Sequence, residues 1–105
     1  MQDGYALIEI KNIKHDKDDT RKVVSADYEL INYLGKYFLS EQVINFVKDN
    51  GFEDEILMIV KVVDGNVVTC ENMVFNCGDG EWYLDCCEHD FLIYASVAFG
   101  KDLMW

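Results

Sequence analysis

The residues best suited to chemistry lie in one stretch of the chain. Cys70, Cys77, Cys86, Cys87 and His89 fall within twenty residues, and thiolates with imidazole are the usual ligands of zinc. The spacing speaks against a metal. Structural zinc sites aim two sulfurs at one point through a C-x2-C knuckle, whereas six, eight and zero residues separate successive cysteines here. A hairpin turning at residues 78–80 would set Cys70 opposite the Cys87–His89 end, which leaves a cross-strand cluster open. The alternative is ordinary packing, since free cysteine is among the most buried residue types. Cys86 or Cys87 beside His89 also has the atoms of a thiol nucleophile and its base. An activated thiolate needs an electropositive setting, and Asp85, Glu88 and Asp90 supply the reverse. Those three carboxylates could themselves act as acid and base or hold a hard cation. No glycine-punctuated calcium loop surrounds them, and acids in turns usually face water. His15 stands among lysines and aspartates without a partner. There is no Walker loop and no G-x-G-x-x-G. The expectation is a non-enzyme with no catalytic residue, no metal and no cofactor.

Charge is the more informative signal. Twenty Asp and Glu against nine Lys and Arg give a net of −11. Residues 1–22 are neutral, with five acids and five bases. Residues 49–100 hold eleven acids and one base, Lys61, so that half alone carries −10. Such a surface repels phosphate, which disfavours direct nucleic-acid binding. It favours encounter with a basic protein. Acidity that serves only solubility is the competing reading.

The elements that must position these residues follow from periodicity. At 105 residues, half of them hydrophobic, the chain is expected to form one domain over residues 1–105 with a single core. Tyr5–Ile13 alternates with period two and reads as a strand; residues 14–22 are a polar loop. Ser25 offers an N-cap, and Leu30, Tyr33, Leu34, Tyr37 and Phe38 follow at helical offsets. Ser40 looks like a second N-cap, and Asn50-Gly51 a helix stop. Two short helices, or one kinked helix, are therefore expected over about residues 26–50. Residues 56–63 are almost wholly apolar and β-branched, as in a central strand covered on both faces. Turns at 64–66, 77–80 and 88–90 separate it from strands at 67–75 and 82–87. The run 91–99 fits either a strand or a buried helix. The expected class is α+β, in the order β-α-α-β-β-β-β. An antiparallel sheet of four to five strands would carry the helix pair on one face.

No run approaches the roughly 20 apolar residues of a membrane span, and the first residues lack the basic and apolar regions of a secretory signal. A cytoplasmic location with reduced thiols is expected on those grounds. In size, acidity and lack of a catalytic motif the chain resembles phage-encoded anti-CRISPR proteins and the immunity proteins of bacterial toxin systems. That resemblance implies a small inhibitor covering a basic surface of a nuclease or other nucleic-acid-binding effector. Its carboxylates would stand where phosphates do, as a nucleic-acid mimic. The expected contacts are Asp79, Glu81, Trp82, Asp85, Glu88 and Asp90, with Glu53, Asp54 and Glu55 second, because aromatic area beside negative charge suits such an interface. The alternatives are a non-catalytic assembly subunit or homodimer and, less favoured, a Cys/His metal-binding protein.

Overall fold

The computed structural model describes residues 1–103. Five strands and two helices alternate as β1 (Gly4–His15), β2 (Val23–Gly35), α1 (Ser40–Asp49), β3 (Ile56–Val63), β4 (Asn66–Asn76), β5 (Trp82–Asp85) and α2 (His89–Phe99). The strands form one antiparallel sheet in the order β2-β1-β3-β4-β5. The class is α+β as expected. The order is β-β-α-β-β-β-α, which corrects the expected β-α-α-β-β-β-β.

The helices are not a pair on one face. Alternation along β1 and β3 sends Ala6, Ile8, Ile10, Met58, Val60 and Val62 to one side, where they meet Leu92 and Ala95 of α2. Leu7, Leu57 and Ile59 point to the other side and meet Val43 and Val47 of α1. The sheet is thus the middle of three layers. This explains the unbroken apolar run of β3: a strand with a helix over each face has no solvent side on which to place polar residues.

Residues 23–35 form a strand where a helix was expected, and the register gives the reason. Ile8 faces Leu30 and Leu7 faces Asn32, leaving Ile31 as an extra residue. Ala6 faces Tyr33 and Tyr5 faces Gly35, leaving Leu34 as another. Each insertion turns a spacing of two into three. The offsets of Leu30, Tyr33 and Leu34 are therefore those of a strand bulged twice within residues 30–35, and both of these extra side chains pack into the α1-side core.

α1 begins at Ser40 with Leu39 at the N-cap and no capping side chain, so Ser40 is the first helical residue and not a cap. The expected stop holds: Asn50 is the C-cap and Gly51 has φ 71°. The ambiguous run 91–99 is helical. Leu92 and Ala95 are buried one turn apart, Phe99 stacks on Tyr28 of β2 at 4.2 Å, and Gly100 ends the helix at φ 70°.

Cys70 in β4 and Cys87 in the β5–α2 connection are joined by a disulfide, with Cα atoms 6.6 Å apart. Both are buried in the α2-side core. This corrects the expectation that all four thiols are reduced, and it removes the argument from thiols for a reducing compartment. No helix among the described residues is long and apolar enough to cross a membrane.

Candidate partner-binding surface

Two acidic stretches distant in sequence meet at one end of the sheet. β3 starts at Ile56 and runs antiparallel to β4, which ends at Asn76. The α1–β3 connection (residues 50–55) and the β4–β5 turn (residues 77–81) must therefore emerge side by side. Glu53, Asp54 and Glu55 line one shallow depression together with Asn76, Trp82 and Phe91. The α2 N-terminus reaches the same end. Asp90 in its first turn, where the helix dipole favours a carboxylate, borders a second depression shared with His15 at the end of β1 and Arg21 of the β1–β2 connection.

Local hydrogen bonds hold the carboxylates of Asp79, Glu81, Glu55 and Asp85. Asp79 is the best held. Its Oδ1 accepts the Glu81 backbone N–H at 2.9 Å, and its Oδ2 accepts the Tyr83 hydroxyl at 3.1 Å. The Glu81 N–H bond foremost, then the Tyr83 bond, keeps the Asp79 carboxyl below its usual range. The same hydrogen bond pushes the Tyr83 phenol up. Glu81 pairs with Lys48 of α1 at 2.7 Å. Glu55 accepts the Glu53 backbone N–H at 2.6 Å. Asp85, at the far end of the four-residue β5, accepts the next backbone N–H, that of Cys86, at 2.8 Å. Glu88 precedes α2, and its carbonyl accepts the Leu92 N–H at 3.1 Å.

Trp82 does not belong to the exposed surface. It is 5% exposed and packs into the α1-side core. Its neighbour Tyr83, 41% exposed, carries the aromatic area beside the acids instead. Period two along β5 decides this, since adjacent rings must face opposite sides of the sheet. Glu9, distant in sequence, adjoins the acidic loop only through the β1–β3 pairing. It lines a further depression with Lys11, Asp54 and Glu55.

No group of three or more His, Cys, Asp or Glu among the described residues is placed to share a metal ion. Cys70 and Cys87 are committed to each other, and Cys77 and Cys86 are exposed and free. Comparison with known proteins adds no kinship. No family model, curated protein or solved structure matches the chain. The end of the sheet carries acidic loops, the 41% exposed ring of Tyr83 and several shallow depressions.

Proposed function

We propose that the protein is a small inhibitor that covers a basic surface of a nucleic-acid-handling protein, with its carboxylates occupying phosphate positions. The observation that carries this reading is the meeting of the 50–55 connection, the 77–81 turn and the α2 N-terminus at one end of the sheet. Glu53, Asp54, Glu55, Asp79 and Glu81 lie there with Asp90 beside them, and of the adjoining bases Lys48 is engaged with Glu81 and Lys11 with Glu29, while Arg21 borders Asp90. The carboxylates of Asp79 and Glu55, held by backbone N–H groups, are pre-organised, so little of their ordering entropy is lost on docking. Clustered like charge raises the encounter rate with a basic groove and orients it.

The test is affinity capture from a source-cell lysate at low salt, followed by a rising salt wash. A basic nuclease or nucleic-acid-binding protein should be retained and should elute with salt. Glu53→Lys combined with Glu88→Lys should weaken its binding at least tenfold, and nucleic acid should compete for the partner. Retention indifferent to salt and to both substitutions would remove the electrostatic reading.

A further inference from the structure

We propose that the outer edge of β2 is a second docking surface, one that accepts an extended segment of a basic protein as a sixth strand. This does not rest on the function proposed above; it concerns the sheet edge away from β5, although Glu9 and Lys11 also border the acidic end.

The two sheet edges are unlike. β5 is four residues long, which is itself protection, whereas β2 runs for thirteen without a proline. Among the described residues no hydrogen bond other than those to β1 satisfies the β2 backbone. Exposed apolar side chains concentrate there. Val24, Tyr28, Leu30 and Tyr33 lie on β2, between 38% and 51% exposed. α2, which packs beside this edge through the Tyr28–Phe99 stack, carries no charged residue between Asp90 and Lys101. An exposed edge of this length beside apolar surface is a template for strand addition.

The register states what the added strand should look like. Between the bulges, Asp27–Leu30 pairs regularly with Ile8–Lys11, so docking centres there. Tyr28 and Leu30 share the face of Ile10 and Ile8, an apolar row. Asp27 and Glu29 share the opposite face with Lys11 and Glu9, three carboxylates against one ammonium. Lys11 already pairs with Glu29 at 2.8 Å, and Asp27 accepts only the neutral amide of Asn12 at 3.0 Å. A segment alternating apolar and basic residues matches both rows at once. A second copy of this chain does not. Glu29 is the midpoint of β2, so antiparallel self-pairing over its full length sets Glu29 against Glu29 between two bodies of charge −11.

The probe is a capped eight-residue peptide alternating Lys and Val, added to the intact protein and followed by NMR and hydrogen exchange. Saturable shifts should centre on residues 26–31, and amide exchange in β2 should slow at least tenfold. Asp27→Lys should weaken binding at least tenfold. The same peptide with every backbone amide methylated, which keeps all its charge and side chains, should not bind this edge. Glu53→Lys with Glu88→Lys should leave the peptide's affinity within twofold, which separates this surface from the acidic end. Shifts confined to residues 79–90, equal binding by the methylated peptide, or a free protein that sediments as a dimer through Tyr28 and Leu30 would each overturn the proposal.

Discussion

Asp79 illustrates how one exposed carboxylate can shape a turn. It holds the β4–β5 connection through the Glu81 N–H and the Tyr83 hydroxyl, and both bonds require the ionised form to be at full strength. The carboxyl titrates below its ordinary 3.8 in the folded protein. Its contribution is therefore present above the unfolded value and disappears as pH falls through the lower folded one. Observed by carboxyl NMR, Asp79 should titrate below a reference aspartate, and Tyr83→Phe should return its midpoint part of the way. Gly4 poses a different residue-scale constraint. Its φ is 123°, and a Cβ there would lie 2.5 Å from the Gly35 carbonyl oxygen, so only glycine fits where β1 meets β2. Gly4→Ala should destabilise the protein by about 1–3 kcal/mol through backbone strain, measured by chemical denaturation. The unchanged far-ultraviolet spectrum of the variant would show that the fold survives.

At the scale of elements, what could be read from the sequence was whatever kept its period. β1, the doubly covered β3, the β4 return strand and the second predicted helix all carry unbroken patterns, and the turn residues between them announce themselves. β2 could not be read because two bulges rewrote its spacing as three and four, which imitates a helix. The side of the sheet on which each helix lies is not a local property. It depends on which strands the chain crosses between them, and that is set by tertiary pairing. A hairpin turning at residues 78–80 already sets Cys70 opposite the Cys87 end, but the link itself is not legible for a related reason: residue 87 sits beyond β5, and its approach to β4 depends on the course of the β5–α2 connection. That link spans a separation of 17 residues, for which the loss of unfolded-chain entropy corresponds to about 3 kcal/mol. Cys87→Ala should lower stability by an amount of that order in denaturant titration. Mass analysis after alkylation without reductant should find two reactive thiols, those of Cys77 and Cys86, and not four. The candidate site was legible as composition and not as place. Acid-rich stretches are visible in the chain, but only the antiparallel β3–β4 pairing puts residues 53–55 beside residues 77–81, and only the strand period exchanges Trp82 for Tyr83 at the surface.

For the whole molecule, β3 is the element on which both cores depend. Leu57 and Ile59 face α1 while Met58 and Val60 face α2, and all four are fully buried. Leu57→Ala should cost about 2–5 kcal/mol. Because β3 belongs to both layers, heat should melt them in one transition, with probes in α1 and α2 reporting the same midpoint. Two separated midpoints would show layers that fold independently. The three-layer arrangement has a further consequence, for the chain as it is made. Synthesis runs from the N-terminus, so Ala6, Ile8, Ile10 and Met58 leave the ribosome well before α2, the helix that covers them. Once β3 and β4 have emerged the α1 side can begin to close while the α2 side remains bare. A ribosome-bound chain arrested just after β5 should therefore display one sticky sheet face to chaperones, and release of that chaperone should coincide with the emergence of residues 89–99.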